Sequence, residues 1–119
     1  IACGFWNPNK DDLFRIRKEF QIDSFEFRNI INTEKFKKVW GSLKGEELVT
    51  SPMGFSKDDP NIDLIRKKMY LFSINYTNKE VLNSTFNNKI VSSFREISPF
   101  FDYMSNLLTT DLNGESVLV

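Results

Sequence analysis

The chain has 119 residues, of which 40% are hydrophobic and 27% charged, and its 16 basic and 16 acidic side chains cancel. This is the composition of one globular domain with a modest core, not of a disordered chain, and no global field draws it toward nucleic acid or an anionic membrane. With no histidine and a single cysteine, Cys3, it cannot assemble a Ser-His-Asp or Cys-His catalytic set, an internal disulfide or a cysteine-built metal cage by itself.

Twelve phenylalanines supply large buried areas from few positions. No run approaches the ~20 apolar residues of a membrane span, and a lone thiol fits a reducing compartment, so a cytoplasmic location is expected. The chain opens on Ile1 in the strand-like IACGFW, with no basic-then-apolar leader. It is therefore expected to be a piece of a longer protein.

Ile1 to Trp6 resembles the end of a strand, with Gly4 permitting a bulge or a close backbone approach. After the Asn7-Pro8-Asn9 turn, Asn9 is the expected cap of a helix with Asp11 and Asp12 in its first turn and Leu13, Phe14, Ile16 and Phe20 on one side. Asp23 or Ser24 starts a second short helix, in which Asp23 and Glu26 have capping-box spacing and Phe27, Ile30 and Ile31 form the inner stripe. Thr33 caps a third, with Phe36, Val39 and Trp40 inward, Lys35, Lys37 and Lys38 solvated, and Gly41 as its stop.

Residues 42–59 read as loop with a short extended piece at Glu47 to Thr50, and Phe55 is expected to plug a core edge. Pro60 takes the first position of a helix carrying Ile62, Leu64 and Ile65. Tyr70, Phe72, Ile74 and Tyr76 then alternate on one strand face, and Thr77 to Glu80 is a capping box. The longest helix carries Phe86, Ile90, Phe94, Ile97, Phe101, Met104 and Leu108, three or four residues apart throughout. Pro99 lies inside that stripe. Because the phase survives it, a kinked continuous helix is favoured over a second helix capped by Ser98. The aromatic strand face is expected to meet Phe94, Ile97 or Phe101, and residues 109–119 to fray.

The candidate functional feature is the basic joint Arg66-Lys67-Lys68, where helix gives way to strand. Arg66 and Lys68 are the candidate anion contacts, weighed against solvated or Asp-paired surface charges. Asp58, Asp59, Asn61 and Asp63 lack the glycine and spacing of a calcium loop, and no metal or cofactor is expected. Gly41 to Gly45 lacks the Lys-Ser/Thr ending of a phosphate loop. The strand aromatics could stack bases on an exposed sheet, but a buried face under the long helix explains them better, so nucleic acid is not an expected partner.

Several segments together resemble one known family: GFWNPNKDDLFRIRKEF, KFKKVWGSLKGEEL, SPMGFSKDDPNIDLIRKKMYLFS and FREISPFFDYMSNLL. They are similar to the bacterial and fungal domain-of-unknown-function family 2461 over about residues 4–108. The Pro-x-Gly-Phe loop, Asp-x-Pro helix start and Leu-x-Arg-x-Lys joint single out Gly54, Phe55, Pro60, Arg66 and Lys68, while Trp6 and Met69 depart mildly. The resemblance implies that residues 1–108 are the C-terminal half of one α+β domain, whose N-terminal half completes the sheet. It implies no activity.

The expected fold is α+β, a small, mainly antiparallel sheet covered by several helices. The expected function is that of a binding or accessory module with an anion-facing joint at 66–68. The alternatives are the C-terminal part of an enzyme with its catalytic groups upstream, and a purely structural domain.

Overall fold

In the computed structural model, residues 1–111, 115 and 116 are described. The elements run β1 (Ala2–Phe5), α1 (Lys10–Ile22), α2 (Phe25–Ile31), α3 (Glu34–Trp40), α4 (Ile62–Ile65), β2 (Tyr70–Ser73), α5 (Asn78–Val81) and α6 (Phe86–Leu108). The α+β class and the mainly antiparallel sheet are as expected.

Side-chain caps set the starts of α1, α3 and α5. The Asn9 side chain accepts from the Asp12 amide at 2.8 Å, Thr33 accepts from Phe36 at 3.2 Å, and Thr77 and Glu80 form a reciprocal capping box, each satisfying amides that a helix leaves unpaired. Gly41 ends α3 at φ 71°. Two expected starts differ. Asp23 and Glu26 form no capping box: Asp23 accepts from Phe25 in a two-residue turn at 2.9 Å, and the Ser24 hydroxyl donates to Asn61 at 2.6 Å. Pro60 lies in the turn before α4, whose cap position is Asn61. There the Asp59 carboxylate takes the Asn61 amide at 2.8 Å.

β1 pairs antiparallel with β2, Ala2 opposite Ser73 through Phe5 opposite Tyr70. A Cβ on Gly4, at φ 147°, would sit 2.1 Å from the Tyr70 carbonyl oxygen, so only glycine allows this separation. On the other side of β2, Lys44 bridges Leu71 and Glu47 bridges Lys67, both antiparallel. The extended piece expected at 47–50 thus makes its pairings from Lys44 to Glu47.

Tyr70 and Phe72 are fully buried. Phe72 meets Phe36 edge-on at 4.9 Å and Phe100 edge-on at 5.1 Å, geometry that adds to the about 2–3 kcal/mol from burying each ring. The regular strand ends at Ser73. Tyr76, beyond it, packs edge-on against Phe86 at 5.1 Å.

α6 runs unbroken through Pro99 and packs against α1, α2 and α3. Pro99 is exposed, so the Arg95 carbonyl deprived of its helical donor is on the outer side, where loss of one bond is cheapest. The buried line is Ser93, Ile97, Phe100, Met104 and Leu107. Of the expected stripe, Ile97 and Met104 are inside, Phe101 and Leu108 are half-buried, and Phe94 is 45% exposed. The phase is set by Phe100, which stands over Phe72, rather than by Phe94 and Phe101.

The expectation of a frayed tail falls partly on residues 112–114 and 117–119, outside the described residues. Arg15 donates to the carbonyls of Thr110 and Asp111, each at 3.0 Å. Among the described residues no helix is long and apolar enough to cross a membrane.

Candidate functional site

The basic joint begins where the four-residue α4 runs out. Four successive carbonyls lie at this helix end; that of Leu64 keeps a local donor in the Lys67 amide at 3.4 Å, and all four accept from groups outside the turn. The Leu64 carbonyl accepts from the Tyr70 hydroxyl at 2.8 Å. Those of Ile65 and Lys67 accept from the Arg17 guanidinium of α1 at 2.8 and 3.0 Å. That of Arg66 accepts from the Leu48 amide at 2.8 Å. Burial pushes the Tyr70 phenol well above its ordinary range, which keeps it a donor.

The side chains of the joint then diverge. Arg66 donates from Nε to the Leu48 carbonyl at 2.9 Å and from Nη2 to the Val49 carbonyl. It is a clamp on the 44–49 segment. Lys68 is exposed, while its amide donates to the Glu46 carbonyl at 2.8 Å. Lys67, between them, has a largely covered side chain, 12% exposed, with its ammonium 3.6 Å from Glu47 and 3.4 Å from the Gly45 carbonyl.

Lys67 opens onto a depression of about 320 Å³ that also takes Arg28, Lys37, Ser42, Glu47 and Asp63. Arg28 holds Asp63 through both carboxylate oxygens, at 2.7 and 3.0 Å. That bidentate hydrogen bond is the main reason the Asp63 carboxyl lies below the usual carboxylate range. Arg28 also donates to Ser24 at 3.0 Å and to the Asn61 side-chain oxygen at 3.2 Å. Asn61 in turn donates to the Phe20 carbonyl at 2.7 Å, tying α4 to α1.

The other motif positions have local structural duties. Gly54 turns the chain at φ 87°. Phe55 is buried, packs edge-on to Phe14 at 6.1 Å, and with it underlies the Lys18 ammonium. Pro60 is exposed in the turn described above. Of the acidic group considered for a cation, Asp63 spends both oxygens on Arg28, Asp59 caps a turn and Asn61 bridges two helices. Among the described residues no group of His, Cys, Asp or Glu could hold a metal ion. The strand aromatics Tyr70 and Phe72 lie in the core, not on a stacking surface.

Two concave surfaces escaped the sequence. One is the depression just described, whose cations come from α2, α3 and the joint, segments that look separately like solvated faces. The other is a groove of about 370 Å³ between α2, α3 and α6. Its sequence signal is Phe25, an apolar residue outside the inner stripe of α2, which is 71% exposed.

These features define a small α+β helical domain whose candidate site is a depression of mixed charge beside a helix-to-strand joint held by hydrogen bonds from three parts of the chain. The chain belongs to the conserved hypothetical protein family DUF2461, which matches over residues 1–103. The match lies over the N-terminal region of this chain, so it supports the family and not the narrower expectation of a C-terminal half. No curated protein and no solved structure matches the chain.

Proposed function

We propose that this domain is a binding or accessory module that contacts an anionic group, of phosphate or carboxylate type, at the 66–68 joint. The observation that carries the reading is the position of Lys67. It is held over a depression where Arg28, Lys37 and Lys67 outnumber the carboxylates of Glu47 and Asp63 by three to two. Arg66 fixes the wall, and Lys68 adds a charge outside it. Arg28 brings a guanidinium already oriented by Asp63, so an incoming anion meets a preorganised donor.

The reading extends to two wider points. The edge of β1 facing away from β2 offers Ala2 and Gly4 for strand pairing, and a further segment of the same protein is proposed as its occupant. A cytoplasmic location rests on the lone thiol of Cys3.

The test is a titration of the isotopically labelled domain with inorganic phosphate, followed by amide resonances. Shifts are expected at 42–47 and 66–68, and a Lys37→Ala/Lys67→Ala double variant should lose them while keeping its melting temperature. Shifts that survive the double variant, or their absence from these segments, would defeat the anion-contact reading.

A further inference from the structure

The groove between α2, α3 and α6 has a different character from the depression at the joint. Phe36 lies at its floor, buried to 1% exposure. Ile30, Pro99 and the exposed ring of Phe25 are the apolar walls, and the only charged side chains lining it are Glu26 and Glu96. A volume of about 370 Å³ falls at the small end of the range for organic ligand sites. It suits one ring or short alkyl body better than a partner helix, which needs several successive anchors.

Charge decides the sign of the ligand. The two rim carboxylates have no cation among the lining residues to oppose them. The negative field continues past the groove: after burial, the carboxylates of Glu19, Glu26 and Asp23 raise the Tyr103 phenol above its ordinary range, outweighing Arg15. The Phe25 ring adds a face on which an ammonium gains from the aromatic quadrupole. A carboxylate in the same place would meet two like charges.

We propose that this groove binds a small hydrophobic amine, its apolar body over Phe36 and between Ile30 and Pro99, and its ammonium between Glu26 and Glu96. The site is separate from the joint. It uses no residue of the anion-contacting depression, so either proposal can fail alone.

Three probes of nearly equal shape test it: 2-phenylethylammonium, the neutral 2-phenylethanol and the anionic 3-phenylpropionate. Amide shifts from the ammonium should be confined to α2, α3 and the turn of α6 around Pro99. With two carboxylates at the rim, the cation should bind about tenfold more tightly than the anion. Added salt should narrow that gap. A Glu26→Gln/Glu96→Gln variant should bring the three probes to within about twofold of each other while leaving binding of the neutral alcohol unchanged. Both side chains sit at the rim, outside the core, so the variant is expected to fold, and its melting curve checks this. Binding that ignores the charge of the probe, shifts located elsewhere, or no binding of any probe would each overturn the proposal.

Discussion

Arg17 reaches across 50 positions of sequence to donate from Nη2 to the Lys67 carbonyl at 3.0 Å, while its Nε holds the Ile65 carbonyl at 2.8 Å. One side chain of the first helix therefore fixes the course of the chain from α4 into β2. Replacing it with Met keeps the stem but strips two carbonyls of charged donors. The expected loss is about 3 kcal/mol, read as a drop in the urea midpoint. Arg17→Lys should recover little of it, because one ammonium lacks the planar fork that serves two acceptors at once. Full rescue by lysine would show that charge, not the fork, matters.

Gly4 and Gly41 separate two reasons for needing glycine. A methyl group on Gly4 would meet the Tyr70 carbonyl at 2.1 Å, whereas one on Gly41 meets nothing within 4 Å, and its cost is confined to φ 71°. Gly4→Ala is expected to cost about 3 kcal/mol by forcing β1 from β2, and Gly41→Ala about 1–2 kcal/mol through backbone strain. Thermal denaturation of both variants tests the order. Equal costs would mean that β1 yields without disturbing β2.

The phase of α6 is open to a direct check. Phe100 is fully buried against Phe72, while Phe94 is 45% exposed and touches Trp40 at a ring separation of 6.5 Å. Phe100→Ala should cost about 3–5 kcal/mol and Phe94→Ala less than about 1 kcal/mol. The reverse order in chemical denaturation would put the other stripe in the core.

Acid should weaken the tie between α2 and α4. Hydrogen bonding to Arg28 lowers the Asp63 pKa in the folded chain. The pair therefore adds stability above the unfolded carboxylate value of about 3.9, and that gain is lost as pH falls through the folded value. Asp63 is 60% exposed, so solvent screening keeps the contribution below about 1 kcal/mol. Melting temperature measured from neutral pH down to about pH 2 should fall more steeply in the parent chain than in Asp63→Asn. Parallel curves would remove Asp63 as the source.

The sequence carried its shortest-range information best. Asn9, Thr33 and Thr77 cap their helices through amides three positions away, so the whole interaction is written in four residues. The α6 stripe was ambiguous for a physical reason. The line through Phe94, Phe101 and Leu108 and the line through Phe100 and Leu107 share Ile97 and Met104 at the same spacing, and only Phe72 and Phe36 beneath the helix choose between them. Arg66 was conspicuous as a charge, but its partners are the backbone carbonyls of Leu48 and Val49, which leave no mark in side-chain identity. The depression stayed hidden because Arg28, Lys37 and Lys67 come together only after three elements have packed.

The four carbonyls from Leu64 to Lys67 are answered by three different parts of the chain, and this has a consequence for how the domain breathes. The segment from Lys44 to Val49 buries little of its own: its order is lent by Arg66, by Leu71 and by the amide exchanges with Glu46 and Leu48. If the joint opens, that segment keeps only its Lys44 end, held on β2 by the paired amide bonds with Leu71 and by the Lys44 ammonium on Ser73. If the segment peels away, the Arg66 carbonyl and guanidinium are stranded together. The amides of Leu48 and Lys68, which bond across the joint, should therefore exchange with solvent deuterium as one cooperative pair at a single opening free energy, ahead of the Lys44 and Leu71 amides paired at β2.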